Sequence, residues 1–192
     1  MFGQTLNSLF ISLIALVDLG EGKKRTSLIY RLTDEYSLFY LHFIEKKRTR
    51  GAEAWQKLSQ TQQYKIWRGY AFENLCLKHI SQIKNALQIS GIYSESSSFY
   101  QKGIGKNKGT QIDLVIDRND YSINLCEMKF YKDEFTLSKS YAQDLRSKIN
   151  VFRKVTKTKK QIFLTLITTF GIHPNQNSVG LIDKTLDMDS LF

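Results

Sequence analysis

The chain has 192 residues, of which 42% are hydrophobic and 24% are charged. This length fits one domain of ordinary size, with room for a small appendage, and the composition excludes a disordered or fibrous chain and a multidomain machine. Lys and Arg outnumber Asp and Glu by 28 to 18, a net charge of +10. That excess favours a polyanionic partner, nucleic acid first, although a basic surface can also serve solubility alone.

The N-terminal region carries three candidate elements. Residues 5–19 place apolar side chains at helical spacing, residues 27–32 are typical of a short strand, and Asp34 is a candidate N-cap for a helix over residues 36–44. The apolar run 6–19 contains polar residues, is too short to span a bilayer and follows no Lys or Arg, so we expect neither a membrane segment nor a signal peptide. We expect this segment to be mainly helical.

A helical pattern over residues 55–87 is followed by a Gly- and Lys-rich loop at residues 101–109. Two strand patterns, 110–117 and 122–130, are joined by a short polar turn, which predicts a hairpin. A helix is predicted over residues 137–155 and a strand over 161–169. This order indicates an α/β domain with a mixed central sheet flanked by helices.

The cysteines and histidines give no sign of a metal site. Cys76 and Cys126 lie far apart and match no metal-ligand spacing, which favours a reduced, cytoplasmic protein. His42, His79 and His173 are interpreted as structural or surface residues.

The predicted hairpin places charged residues among apolar neighbours. Glu127 and Lys129 are two apart, so they share a face of their strand, and a three-residue turn brings Asp113 opposite Glu127. Buried charge is costly unless it is paired or holds a metal, and two close carboxylates favour Mg²⁺ or Mn²⁺ between them. The alternative is a structural salt bridge from Lys129 to Glu127 or Asp113. Asp117 and Asp120 are interpreted as turn residues.

An acid in one strand followed, after a hairpin, by Glu127-Met128-Lys129 resembles the PD-(D/E)XK nuclease superfamily, which has the restriction-endonuclease-like fold. The resemblance covers roughly residues 65–170 and implies that Asp113, Glu127 and the carbonyl of Met128 bind metal. Glu73, in the upstream helix, would be the further metal-site acid. Lys129 would position the attacking water and stabilise developing charge.

A second resemblance covers nearly the whole chain. The chain is similar to the C-terminal part of archaeal-type AAA-family ATPases, in which an ATPase module precedes a winged-helix segment and a nuclease-like domain. The motifs that carry it are residues 30–40, 69–73, 111–113, 126–129, 168–171 and 189–192. No G-x-x-x-x-G-K-[ST] sequence is present, so ATP hydrolysis is not implied. The resemblance divides the chain into a winged-helix remnant or linker, 1–48, and a nuclease-like domain, 49–192.

The basic residues supply candidate nucleic-acid contacts. The end of the predicted helix and the following turn are rich in Lys and Arg without an acid, which is typical of phosphate binding but also of a solvated helix end. The basic candidates are Lys108 in the loop, for which a mobile surface loop is the alternative, and Lys148, Arg153 and Lys154 in the helix. The resemblance to the nuclease superfamily adds Gln143, because such nucleases add substrate-contacting residues in this helix.

Together these features predict a Mg²⁺- or Mn²⁺-dependent nuclease acting on DNA, with Glu73, Asp113, Glu127 and Lys129 as catalytic residues. The alternative is an inactive nuclease-fold module for DNA binding or for docking to a partner ATPase. A further possibility is a homodimer formed through the apolar segment 1–45.

Overall fold

The structure is a computed structural model that describes residues 13–18, 28–32, 34–45, 51–103 and 109–192. Within these residues the α-helices are α1 (Glu35–Phe39), α2 (Ala52–Ser59), α3 (Gln62–Lys78), α4 (Ile80–Ala86) and α5 (Lys139–Thr156). A π-helical segment, Tyr40–Ile44, continues α1, and a 3₁₀ turn, Met188–Leu191, closes the chain. Among the described residues, no helix is both long enough and apolar enough to cross a membrane.

Within the described residues seven strands form one mixed sheet: β1 (Leu13–Asp18), β2 (Leu28–Leu32), β3 (Ser94–Gln101), β4 (Thr110–Arg118), β5 (Ser122–Lys129), β7 (Gln161–Thr168) and β9 (Lys184–Leu186). Their order in the sheet is β2-β1-β3-β4-β5-β7-β9. The pairs β1/β2, β3/β4 and β4/β5 are antiparallel, whereas β1/β3, β5/β7 and β7/β9 are parallel. The predicted α/β class with a mixed central sheet flanked by helices is therefore confirmed. A second, two-stranded sheet pairs β6 (Phe135–Thr136) with β8 (Ile172–His173).

The helix predicted over residues 5–19 is wrong where the structure describes it, because Leu13–Asp18 is strand β1. A short continuous apolar run fits an interior strand as well as a helix, and β1 pairs on both sides, with β2 and β3. The expectation of a mainly helical N-terminal segment is corrected accordingly. Residues 1–12 and 19–27 lie outside the described residues.

Other predictions are confirmed with small shifts of boundary. Asp34 caps α1, where its side chain accepts a hydrogen bond from the Ser37 amide at 3.1 Å. The helical pattern over 55–87 contains three helices, because Thr61 starts α3 as its N-cap and His79 separates α3 from α4. The hairpin is β4 and β5, the helix is α5, and the strand at 161–169 is β7.

The sheet is covered by helices on both faces, which gives the core two halves. On one face Leu125 and Phe99 pack with Leu145 and Phe152 of α5. On the other, Cys126 packs with Phe72 and Cys76 of α3 and with Ile83 of α4. Strand β5 therefore lies between α3 and α5, and charged side chains at its end can be reached by residues of both helices.

Candidate active site

Strands β4 and β5 part at the position of the predicted site. Their ladder runs from Asp117↔Ile123 to Leu114↔Cys126, and the described residues of the two strands form no further pair beyond Leu114↔Cys126. Each strand continues on its other neighbour, β4 along β3 and β5 along β7. Asp113 and Glu127 are the first residues beyond the last pair, so both acids stand where the sheet forks.

A register shift on β4 helps to place Asp113. Against β3, Ser97 pairs with Val115 but Phe99 pairs with Ile112, so β4 has an extra residue in the interval that contains Asp113. A bulge of this kind bends a strand and redirects a side chain, and bulges are frequent beside active sites. The bulge therefore explains why a carboxylate can occupy an otherwise apolar strand.

The Asp113 side chain binds the neighbouring strand where the ladder ends. Its Oδ2 accepts a hydrogen bond from the backbone N–H of Met128 at 2.9 Å, and its Oδ1 lies 3.5 Å from Gln111 Nε2. The carboxylate thus contacts a strand amide of β5, and the register counted one step further brings Asp113 level with Glu127. The predicted opposition of the two acids fits this geometry.

Glu127 is the most deeply buried acid of the site, with 4% of its surface exposed. Its Oε2 lies 2.5 Å from Lys148 Nζ, and among the described residues its buried Oε1 has no hydrogen-bond partner. Burial, and then the charge of Asp113, raise the pKa of Glu127 to about 7, although Lys148 opposes the rise. Glu127 therefore keeps its charge with difficulty in the metal-free protein.

Glu73 reaches the same place from the other side of β5. It lies in α3, which packs on β5, and it is 9% exposed. Its negative charge contributes to the raised pKa of Glu127 and to that of the buried Cys76 thiol. We call Glu73, Asp113 and Glu127 the acidic cluster. Within the described part of the chain, no three His, Cys, Asp or Glu side chains form a ready-made metal cage.

The Lys129 ammonium lies on aromatic rings. Its Nζ is 4.3 Å from the ring centre of Tyr141 and 5.4 Å from that of Phe135, both cation–π distances. Burial, and then the charges of Glu127 and Asp113, raise the pKa of Tyr141, which places this ring near both acids. The predicted catalytic lysine is thus held in the neighbourhood of the acidic cluster by aromatic side chains.

Lys148, predicted as a phosphate contact, is the ion-pair partner of Glu127 in the structure. It projects from α5 at the same face as Tyr141 and the buried Leu145, because these positions are spaced by four and three residues. The sequence signal for this ion pair is a lysine on the face of α5 whose other residues point towards the core. The prediction treated Lys148 only as one of a run of basic residues and did not foresee the ion pair.

The structure does not place the other predicted nucleic-acid contacts in the site. Gln143, Arg153 and Lys154 are exposed on α5, and Lys108 lies outside the described residues. Met128 donates its amide to Asp113, while its side chain packs on the α3 side of the sheet. The structure therefore brings together Glu73, Asp113, Glu127, Lys129 and Lys148, and it leaves the basic end of α5 in solvent.

Comparisons with known proteins give little further information. No family model matches the chain, and a search of curated proteins gave no significant match. A solved structure described as "Crystal Structure of Protein of Unknown Function AF1548" is similar at 16% identity, with a TM-score of 0.37. The match covers 54% of this chain and about half, 53%, of that chain.

Proposed function

We propose that this chain is a Mg²⁺- or Mn²⁺-dependent nuclease of the PD-(D/E)XK type that hydrolyses phosphodiester bonds in DNA. The observation that carries the proposal is the acidic cluster, in which the negative charges of Asp113 and Glu73 act on the buried Glu127 at a fork in the sheet. Two lysines, Lys129 and Lys148, accompany them. Carboxylates that are buried close together, despite the unfavourable free energy of their repulsion, are typical of functional sites.

The donor set fits a divalent cation. Glu127 presents a buried oxygen that has no hydrogen-bond partner among the described residues, and burial, followed by the negative charge of Asp113, raises its pKa to about 7. A cation beside these oxygens would remove that repulsion, and carboxylate and carbonyl oxygens are the ligands that Mg²⁺ prefers. Asp113, Glu127 and Glu73, with the carbonyl of Met128, would hold it.

When bound, Mg²⁺ supplies Lewis-acid stabilisation of the negative charge that develops on the phosphate. The chain's own residues do the rest. Lys129, held on the rings of Tyr141 and Phe135, orients the attacking water and offers an ammonium to the developing charge. Lys148 neutralises Glu127 in the metal-free protein, and the exposed Arg153 and Lys154 bind backbone phosphates. The cysteines are buried and unbridged, which favours a cytoplasmic place of action.

A cleavage assay on single-stranded, double-stranded and branched DNA tests the proposal. Asp113→Asn keeps the shape of the side chain but removes its charge, so we expect at least a hundredfold loss of Mg²⁺-dependent cleavage, roughly the cost of losing one group that stabilises transition-state charge. The matched control is Asp117→Asn, on the same strand, whose carboxylate pairs with Lys160 at 2.5 Å. Equal activity in wild type and Asp113→Asn contradicts the proposal.

The ion pair of Glu127 with Lys148 favours a second candidate function. An ammonium beside Glu127 can replace a metal permanently, as in a nuclease fold retained only for binding DNA or for docking to a partner ATPase. Wild-type protein that binds DNA, cleaves none of the substrates and takes up no Mn²⁺ would establish this inactive module. Metal-dependent cleavage would exclude it.

A further inference from the structure

A cavity of about 200 Å³ opens between α1 with its π-helical continuation and the outer face of α3. It is smaller than the roughly 300–1,000 Å³ typical of sites for drug-sized ligands, so it suits a single ring system. Its walls combine apolar, aromatic and hydrogen-bonding side chains: Glu35, Leu38, His42, Trp67, Tyr70 and Asn74. We call it the α1–α3 pocket.

The aromatic wall of the α1–α3 pocket belongs to one stripe of α3. Trp67, Tyr70 and Asn74 are spaced by three and four residues, which puts them on one face of the helix. Trp67 is fixed by ring contacts to Phe39, 5.2 Å between centroids, and to Phe43 at 5.7 Å, whereas Tyr70 is 60% exposed. The pocket thus has one rigid ring and one accessible ring, an arrangement suited to stacking against a flat ligand.

Glu35 gives the α1–α3 pocket a specific polar requirement. Its Oε2 accepts from Lys78 Nζ at 2.6 Å, whereas its Oε1 is buried and has no hydrogen-bond partner among the described residues. A buried acceptor left unpaired is unfavourable, so the fitting ligand carries an N–H donor. Lys78 already neutralises the carboxylate, so a cationic ligand would gain little attraction here.

We propose that the α1–α3 pocket binds one unpaired base of a nucleic-acid strand, stacked on Trp67 and Tyr70 with its N–H donor on Glu35. Heteroaromatic bases are flat and carry such donors, and aromatic platforms bind them in single strands. The strand itself suits the chain's charge, because Lys and Arg outnumber Asp and Glu by eight to three across residues 51–110. Adenine, cytosine and guanine offer an exocyclic amine, whereas the N–H donor of thymine is flanked by two carbonyl oxygens, which a carboxylate disfavours.

Fluorescence anisotropy with labelled oligo-dA and with an abasic strand of equal length tests the proposal. A chelator is present throughout, so the result does not depend on nuclease activity. We expect wild type to bind oligo-dA about tenfold more tightly than the abasic strand, roughly the contribution of one stacked base, and Tyr70→Ala to remove most of that difference. Glu35→Gln should narrow the preference for oligo-dA over oligo-dT.

The matched control is Tyr93→Ala, which removes a tyrosine that is 73% exposed and lies outside the α1–α3 pocket. It should bind both strands as wild type does. Because Tyr70 is itself exposed, its loss should leave folding intact, and thermal unfolding checks this. The proposal is overturned if wild type binds the two strands equally, or if Tyr70→Ala weakens both by the same factor or neither. Competition by free adenosine monophosphate as strong as that by the strand would overturn the assignment to a strand.

Discussion

The acidic cluster and the α1–α3 pocket use one helix in opposite ways. Towards the sheet, α3 contributes Glu73, a buried charge among other buried charges. On its outer face the same helix contributes Trp67 and Tyr70 to a pocket whose one carboxylate is already neutralised by Lys78. The first region concentrates electrostatic repulsion, whereas the second presents apolar ring surface to solvent.

This contrast separates what each region can do. Buried carboxylates near one another are unstable without a cation, so the acidic cluster should govern chemistry, metal uptake and the pH dependence of stability. A neutral aromatic surface has no such instability, so substitutions in the α1–α3 pocket should change only the affinity for nucleic acid.

Glu127→Gln should cause the largest effect on cleavage. The change removes the charge of a metal-site acid and keeps its size, so we expect the rate at saturating DNA to fall at least a hundredfold, the scale of losing one electrostatic catalytic group. Glu95→Gln, at an exposed position of β3, is the matched control. Single-turnover cleavage measures both. A rate in Glu127→Gln equal to that of the control would show that the acidic cluster does not govern the chemistry.

Lys148→Met should destabilise the metal-free protein by about 3 kcal/mol, because it leaves Glu127 buried without its partner. Lys129→Met should cost only about 1 kcal/mol, the scale of a partly exposed cation–π contact. Urea unfolding at pH 8 in a chelator compares the two. The reverse order would mean that Lys129, and not Lys148, balances the acidic cluster.

The stability of the metal-free protein should fall as pH rises from about 4.5 to about 7. In that window Glu127 holds its proton in the folded state, where its pKa is about 7, but loses it in the unfolded chain, where its pKa is near the ordinary 4.5. The full loss is on the order of 3 kcal/mol, and Glu127→Gln should lack it. Urea unfolding of both proteins across this range measures the difference. If the free energies of unfolding of wild type and Glu127→Gln changed equally with pH, a group other than Glu127 would be responsible for the pH dependence.

The smallest effect is expected at the basic end of α5. Arg153→Ala and Lys154→Ala each remove one exposed charge, so each should weaken DNA binding severalfold and reduce the salt slope by about one, on any sequence. Tyr70→Ala should instead weaken binding without changing the salt slope, because it removes a ring and no charge. Affinities measured at several salt concentrations separate the two kinds of contact. A slope that Arg153→Ala and Lys154→Ala leave unchanged would exclude the phosphate contacts.

The sequence predicted best those elements whose pattern is local. The β4–β5 hairpin has two largely apolar strand patterns joined by a polar turn, and α5 has both a Ser138 cap and a helical period. Strand β3 was missed because four of its eight residues are serines, so its propensity is weak and its place depends on pairing with β1 and β4. Strand β1 was mistaken for a helix because a short apolar run does not distinguish the two.

At the site, it was easier to predict which residues belong to it than which of them contact one another. The spacing of Asp113, Glu127 and Lys129 was readable because the hairpin fixes it, whereas the ion pair of Glu127 with Lys148 joins residues 21 apart and depends on how α5 packs on the sheet. The α1–α3 pocket was not foreseen at all. It forms where two helices distant in the chain meet, and such a contact leaves no local pattern in the sequence.

Calorimetric titration of Mn²⁺ into the DNA-free chain at pH 7 tests most directly whether the acidic cluster is a metal site. We expect one binding event per chain, accompanied by proton release because Glu127 is partly protonated at this pH. Asp113→Asn and Glu127→Gln should lose most of the affinity, while Asp117→Asn should bind as wild type does. Binding that is absent from wild type, or the same in all four proteins, would contradict the account.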